Sequence, residues 1–376
     1  MDSELHLPDT TYAQAVTLFL IAYTVMYTIG GWLVDKMGAQ WSLALALAWW
    51  SVATALTCLV HVSFELYACR ILMALAQPIV FSAGVKACVE FFPSQQRAVA
   101  TGIFSAGSGV GALIATPILA GATLHWGWRI ATALPAAAGL VLVPIWLFTY
   151  ARTTRQAMTQ NAAAPISWLV MLRQRTVWAL VLPRAIGDPL WYFCLFWMPQ
   201  YLQQSRHLSL QQIALFGWLP FLFADVGSIL GGGLSDTLIR RGIAPPRARV
   251  IILLCAALIA PLGILIGFTP SVAVAIVLMG LIAFASQCWT TTTTALAADI
   301  FPRSSVGAIV GMMGTAGGVG GAVFAQITGA TVQNFGFRPA FVMAALLVPV
   351  GFLLLMALLK NHGVTIHRRS TETVAA

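Results

Sequence analysis

The chain has 376 residues, of which 59% are hydrophobic and only 8% are charged. About a quarter of the residues of a soluble domain are charged, so this composition excludes a water-soluble globular protein and predicts a multi-span membrane protein. The net charge of +9 does not indicate a nucleic-acid partner, because the basic residues are scattered among short links. No pattern of short alternating strands is found, so we expect an all-α membrane protein.

The apolar segments predict eleven transmembrane helices, separated by polar or turn-forming links. They lie at 12–33, 42–62, 66–89, 98–122, 130–150, 177–202, 211–234, 250–269, 271–298, 305–331 and 339–360. The longest link, 151–176, is predicted to end in a short amphipathic helix on the membrane surface. The six cysteines lie in or beside apolar segments without metal-ligand spacing, and we interpret them as small core residues.

An internal repeat indicates how these helices are organised. A shift of 209 residues aligns EFFP (90–93) with DIFP (299–302), and HWGWRIA (125–131) with NFGFRPA (334–340). A shift of 201 aligns GGWLVD (30–35) with GGGLSD (231–236). The chain is therefore predicted to fold as two parallel-repeat helix bundles. The expected domains are an N-terminal bundle (1–150), a cytoplasmic linker (151–176), a C-terminal six-helix bundle (177–362) and a cytoplasmic tail (363–376).

The helix predicted at 177–202 has no repeat mate, because the shift places its mate ahead of residue 1. The repeat thus predicts a twelve-helix architecture from which the first helix is missing, through a misassigned start or a fragment. A genuine eleven-helix protein is the alternative. Lysine and arginine are concentrated in alternate links, so these links and the C-terminus are predicted to be cytoplasmic.

The segment 182–201 carries two charges, Arg184 and Asp188, inside a predicted membrane helix. A charge at membrane depth costs roughly 2.5–3.5 kcal/mol on insertion scales, and such residues commonly have a functional role. One interpretation is an ion pair between residues four apart, which only braces the helix. The other is a ligand site, because Pro183 and Pro189 free backbone groups as in the broken helices of transporters.

Further polar residues lie within predicted membrane helices. Arg70 either snorkels to the outer headgroups or faces a ligand, and Gln77, seven residues later, shares its helix face. Lys86 is expected to snorkel to the inner surface. Asp225 is a third intramembrane charge, which either pairs with a basic residue or carries a proton.

Another polar cluster precedes Asp299 on its helix. Gln287 and Thr290 are candidates for hydrogen bonds to sugar hydroxyls, and Trp289 is a candidate for stacking on a sugar ring. The threonine run 290–294 is equally typical of a helix-packing seam.

Two matching motifs are predicted to control conformational change. Gly31-x-x-x-Asp35-Lys36-x-Gly38 and Gly232-x-x-x-Asp236 end two repeat-related helices. Glycine allows close helix approach, and the aspartate can accept hydrogen bonds from a neighbouring helix N-terminus and so lock one conformational state. Glycine pairs with the same spacing are expected to form helix-packing surfaces that move against each other. They are Gly107/Gly111, Gly307/Gly311, Gly314/Gly318 and Gly317/Gly321.

Four segments carry a resemblance to a known family. They are RQRTVWALVLPRAIGDPLWYFCLFWMPQYL, WLPFLFADVGSILGG, GVKACVEFFPSQQRAVATGIFSAGSGVGA and AADIFP. Together with the two motifs, they resemble the hexuronate and sugar-acid transporters of the anion:cation symporter family, within the major facilitator superfamily. The resemblance implies proton-coupled uptake of a carboxylated sugar by alternating access in a bacterial inner membrane.

The resemblance also implies roles for individual residues. Arg70 matches the arginine linked to the substrate carboxylate and to proton coupling. Arg184, Asp188 and Trp191 match the seventh-helix pattern, and Gln287 and Trp289 match the cavity face of the tenth helix. Gln77 departs from the family, because it stands where an acid is usual and it cannot titrate.

We therefore expect a carrier that presents Arg70 and Arg184 to an organic anion, since arginine binds a carboxylate bidentately and stays charged. Trp191, Tyr192 and Trp289 offer apolar faces to a sugar ring, and Asp188 or Asp225 carries the proton. The alternatives are uptake of an aldonate, aldarate or aromatic acid, or a non-transporting remnant. No catalytic set, cofactor loop or metal cluster is seen, so we predict a non-enzyme without a metal or cofactor. We also expect a monomer.

Overall fold

The structure, a computed structural model, describes residues 9–157 and 168–360, and helices dominate these two ranges. In chain order the helices are α1 (Asp9–Thr57), α2 (Ser63–Phe91), α3 (Ser94–Ala157), α4 (Trp168–Arg173), α5 (Arg175–Gly187), α6 (Pro189–Gln204), α7 (Leu210–Phe216), α8 (Leu219–Arg240), α9 (Pro245–Ile259), α10 (Val272–Ile300), α11 (Val306–Phe335) and α12 (Phe337–Lys360). Short 3₁₀ helices lie at Ala260–Gly267 and Arg303–Ser305. The described residues contain no β-strand, which confirms the predicted all-α class.

Glycines with left-handed backbones divide the two longest helices. The described ranges hold nine apolar helical stretches long enough to cross a membrane. Gly38 in α1 and Gly127 in α3 have φ angles of +77° and +84°, a conformation that glycine adopts without a steric penalty. Each breaks its long helix into two, so the nine stretches contain the eleven segments predicted from the sequence.

The backbone also carries the repeat. Gly127 and Gly336 are 209 residues apart, and both have a left-handed φ, +84° and +79°. Gly336 links α11 to α12 as Gly127 links the two parts of α3. The same glycine turn therefore connects corresponding helices in both halves, in agreement with the predicted shift of 209.

The chain forms two compact units. The first comprises Met1–Pro93, Phe104–Trp168 and Phe301–Val319, and the second comprises Ser94–Ile103, Leu169–Ile300 and Gly320–Ala376. Each unit thus holds most of one half of the chain plus the beginning of a helix from the other half. The predicted domains of 1–150 and 177–362 do not include this exchange of helix beginnings.

Small residues let the helices within each unit approach closely. In the first unit, Gly30 of α1 packs directly on Ile79 of α2. In the second unit, Gly227 and Gly231 of α8 lie against Phe284 and Cys288 of α10. A side chain at any of these glycines would overlap its neighbour, so their spacing fixes which helix faces meet.

The cysteines and the long link agree with their interpretation where they are described. All six cysteines are free, and only Cys255 is exposed. The short helix α4 lies in the predicted surface segment. Residues 158–167 and the predicted tail 363–376 lie outside the described residues.

Candidate functional site

The second unit contains a helix break at the centre of the segment 182–201. Helix α5 ends at Gly187, Asp188 forms the junction, and α6 begins at Pro189. Because Pro189 has no N–H, the carbonyl of Ala185 loses its usual helical donor. Gly320 of α11 lies directly over that carbonyl, and a Cβ at position 320 would overlap it. The proline and the glycine together hold the break at a defined position.

The charged pair at this break is buried and bonded. Arg184 donates from Nε to Oδ2 of Asp188 at 2.6 Å, and its side chain is 6% exposed. Its Nη1 donates to the Thr290 carbonyl and to the Thr293 hydroxyl, both at 2.9 Å. The Nη2 group makes no hydrogen bond to a described residue. The geometry therefore favours the bracing interpretation and leaves one amino group of Arg184 for a ligand.

Asp188 is held from two helices. In addition to Arg184, the hydroxyl of Thr290 donates to Oδ1 at 3.4 Å. Thr291 to Thr294 are buried, and Thr294 also accepts a bond from Arg184. The threonine run thus serves as a packing seam between α5 and α10.

Trp289 does not have the open ring face that the sequence suggested. Its side chain is completely buried, and the indole lies on Gly187 and Gly351, two positions where a side chain would displace it. By contrast, Gln287 and Thr290 on α10 are both half-buried. Residues three apart share a helix face, so these two polar groups present one partly open stripe.

The aromatic residues of α6 are partly packed. Trp191 and Tyr192 are half-buried. The Trp191 ring meets Phe221 edge-on with centroids 6.0 Å apart, and the Tyr192 ring lies against Gly321. Each ring keeps a part of its surface open.

Asp225 differs from Asp188 in having no partner among the described residues. It lies half-buried on α8, one turn after Phe221. It has no hydrogen bond or ion pair with any residue that the structure describes. The Phe-Ala-Asp segment therefore places an unpaired carboxylate within a membrane helix.

Two polar residues of α2 in the first unit make no hydrogen bond or ion pair with the described residues. Arg70 and Gln77 are half-buried, and neither makes a hydrogen bond to the described part of the chain. Seven residues of helix place them about 10 Å apart on one face. Lys86, on the same helix, corrects an expectation: it is buried and does not snorkel, because Asp35 neutralises it at 2.8 Å.

The carboxylate of Asp35 links α1 to the start of α11 within the first unit. Its oxygens accept the N–H groups of Gly307 and Ala308 at 2.9 and 2.7 Å, at the start of α11. Gly31 makes this possible, because a Cβ there would overlap the Gly307 carbonyl. A carboxylate at a helix N-terminus satisfies orphan donors and complements the helix dipole.

Asp236 makes the corresponding contact in the second unit. It accepts the N–H of Val99 at 2.8 Å, near the start of α3, and Gly232 packs on the Ala98 carbonyl. Val99 and Ala308 are 209 residues apart, so the repeat extends to the bonded atoms. Both motif aspartates thus accept backbone N–H groups close to the start of a helix from the other half of the chain.

Two members of the first motif do not take part in this cap. Lys36 is exposed, and its ammonium lies 4.0 Å from the Trp32 ring centroid. Gly38 provides the left-handed turn between the two parts of α1. The gating role predicted for these two residues stays a prediction.

Sequence reasoning missed a buried charge cluster around Asp236. Arg249 is fully buried and bonds Asp236 at 2.5 Å and Asp299 at 3.0 Å, and Arg97 bonds Asp299 at 2.9 Å. The concentration of arginine in the links predicts their orientation and does not indicate these buried pairs. The alignment of Glu90 in EFFP with Asp299 in DIFP was the sequence signal for an acidic residue with a structural role at this position. The two acids differ in their partners, because Glu90 accepts a hydrogen bond from Tyr150 and not from a basic residue.

An aromatic row on α1 was missed as well. Tyr23 and Tyr27 join their hydroxyls at 3.1 Å, and Thr28 bonds Thr315 of α11 at 2.7 Å. Tyr23, Tyr27, Gly31 and Asp35 are four residues apart and so lie on one face of α1. This spacing is visible in the sequence.

The glycine pairs behave differently in the two halves. Gly314 and Gly318 of α11 pack on Tyr27 and Thr24, as expected for a packing surface. A side chain at Gly107 or Gly111 of α3 would meet nothing within 4 Å. Close packing is therefore seen at the α11 pairs and not at the α3 pair.

Comparisons with known proteins agree with this architecture. The chain is 30% identical to the hexuronate transporter of Escherichia coli strain K12, over 95% of this chain and 87% of that one. It is also 30% identical to the galacturonate transporter of Dickeya chrysanthemi, over 62% and 72% of the respective chains. The solved proton:xylose symporter XylE superposes with a TM-score of 0.71 at 15% identity, over 95% and 89%, and indicates the fold alone.

The family model matches nearly the whole chain. The model of the Major Facilitator Superfamily aligns with residues 1–294 and 245–374. This multi-pass membrane protein belongs to the major facilitator superfamily.

Proposed function

We propose that the protein is a secondary active transporter that imports a hexuronate, such as galacturonate or glucuronate, by proton symport with alternating access. The observation that carries the proposal is the similarity to a hexuronate transporter over 95% of the chain. A bacterial inner membrane, a cytoplasmic C-terminus and a monomeric carrier belong to the same proposal.

The carboxylate of the sugar acid would bind first to Arg70. An unpaired guanidinium at membrane depth attracts an anion strongly, and its planar fork suits a carboxylate. Arg184 contributes the Nη2 group that its structural bonds leave open. In the second unit Gln287 and Thr290 offer hydrogen bonds to hydroxyls, and Trp191 and Tyr192 offer partly open rings.

Proton coupling has a simple electrostatic basis. A hexuronate is a monoanion at neutral pH, so one accompanying proton makes its transfer electroneutral. Gln77 cannot take this proton, which leaves Asp188 and Asp225 as the candidate carriers in the membrane helices of the second unit.

Uptake by proteoliposomes that contain the purified protein tests the proposal. Labelled galacturonate should accumulate when the outside is acidic, and a protonophore should abolish the accumulation. Arg70→Ala should weaken binding on the order of ten- to a hundredfold, because a charged hydrogen-bond pair is lost, whereas Arg240→Ala, an exposed arginine on α8, should not. Unchanged affinity in both Arg70→Ala and Arg184→Ala would refute the assignment of the binding groups.

An aldonate or aldarate is the second candidate substrate. It is favoured by 26% identity to a D-galactonate transporter over 92% of this chain. Competition against labelled galacturonate by galactonate, glucarate and an aromatic acid separates these possibilities. A protein that moves none of these acids would contradict a transport function.

A further inference from the structure

One face of α8 carries both of its aspartates. Residues 225, 232 and 236 are seven and eleven positions apart, which places them on a single stripe of a helix. This is the stripe that packs against the beginning of α3 within the second unit. Asp236 accepts the Val99 N–H, Gly232 lies on the Ala98 carbonyl, and the Ser228 hydroxyl donates to the Gly102 carbonyl.

The contacts with the beginning of α3 reach Ser228, three residues from Asp225 on α8. Gly102 of α3 faces Ser228 and Ile229 of α8. Asp225 comes next on the same stripe, half-buried and without a partner among the described residues. A helix that closed over the next turn of the stripe would cover its carboxylate.

Among the described residues, no charged group of the surrounding helices pairs with Asp225. The titratable or charged residues of the neighbouring segments are Arg97 on α3, Arg247, Arg249 and Cys255 on α9, Cys288 and Asp299 on α10, Arg184 on α5, Asp188 at the junction, and Tyr192, Cys194 and Tyr201 on α6. Arg97, Arg249 and Asp299 belong to the cluster at Asp236, about 16 Å along α8 from Asp225. Cys288 packs at Gly231 on a different face, and Asp188 is bonded to Arg184.

We propose that Asp225 carries the coupled proton and that its protonation allows a helix to close over this stripe of α8. An unpaired carboxylate resists transfer into an apolar contact, whereas the neutral acid is tolerated there. The carboxylate takes a proton from the water on one side and releases it to the water on the other. Asp188 is then a positioning residue that holds Arg184 at the helix break. This inference rests on the proposed symport and names its proton carrier.

Asp225→Asn in proteoliposomes tests the inference with labelled galacturonate as the probe. One pH unit corresponds to a factor of ten in an equilibrium, so a one-unit gradient drives the wild type to at most tenfold accumulation per proton. The Asn variant should only equilibrate its substrate, about onefold, while exchange of labelled for unlabelled galacturonate continues. Accumulation by Asp225→Asn equal to that of the wild type would overturn the inference. Wild-type uptake that ignores the gradient would instead overturn the proposed symport.

If Asp225→Asn loses exchange as well as accumulation, Asp225→Glu tests whether a titratable carboxyl at this position is what transport requires. The Glu variant keeps a titratable carboxyl whose intrinsic pKa is about 0.4 units higher. We expect it to accumulate substrate with a pH profile shifted upward by roughly that amount. A Glu variant that does not accumulate, or whose profile is unshifted, would count against Asp225 as the carrier.

Discussion

The buried pair between Lys86 and Asp35 gives a quantitative prediction. The Nζ and Oδ1 atoms are 2.8 Å apart, and both side chains are 5% exposed. Removing one partner of such a pair costs about 3–5 kcal/mol, because it leaves a charge buried without compensation. In Lys86→Met, Asp35 keeps the two N–H donors of Gly307 and Ala308, so we expect the lower end, about 3 kcal/mol.

A double-mutant cycle checks this value by reversible unfolding in mixed detergent micelles. Lys86→Met combined with Asp35→Asn removes both charges and should recover most of the loss, giving a coupling of at least about 2 kcal/mol. Lys36→Met is the matched control, because this neighbouring lysine is exposed on Trp32 and its cation–π contact is worth only about 0.5–1 kcal/mol. A cost below about 1 kcal/mol for Lys86→Met would refute the reasoning and imply that Asp35 is uncharged or hydrated.

Three further predictions use the same unfolding assay or the transport assay. Gly320→Ala should lower the free energy of unfolding by about 1–3 kcal/mol, because the added methyl group overlaps the Ala185 carbonyl. Gly111→Ala, at the repeat-related position where nothing lies within 4 Å, should leave stability unchanged or raise it. Equal effects of the two substitutions would contradict the difference in packing. Thr293→Val should cost about 1 kcal/mol through its lost bond to Arg184, and no change would show that this bond is not formed. Trp289→Ala should lower the free energy of unfolding by about 3–5 kcal/mol. A small loss of stability together with weaker galacturonate binding would instead support the prediction that Trp289 stacks on the sugar.

The helices and the repeat could be predicted from the sequence because each has a direct sequence signal. Apolar length revealed the spans, and glycines at fixed shifts, such as Gly127 and Gly336, revealed the corresponding turns. The motif aspartates Asp35 and Asp236 were found for the same reason, since two matching copies carry more information than one.

The partners of charged residues were harder to predict. Lys86 looks like a snorkelling residue in sequence, because the acid that neutralises it lies 51 positions earlier, on another helix. Trp289 is typical of a sugar-stacking residue, and only the juxtaposition of Gly187 and Gly351 buries it. Such pairings depend on tertiary packing, which single-residue patterns do not specify. The roles of Arg70, Gln77, Gln287 and Thr290 in binding stay predictions.

The exchange of helix beginnings has a consequence for biosynthesis. Asp35 accepts hydrogen bonds from Gly307 and Ala308, which follow it by more than 270 residues. At 5–20 residues per second, the ribosome needs roughly 15 to 55 seconds to reach them. During this interval Lys86, only 51 residues away, is the partner that can neutralise Asp35. If the pair forms at this stage, the early membrane helix holds no uncompensated charge while the last part of the first unit is being made.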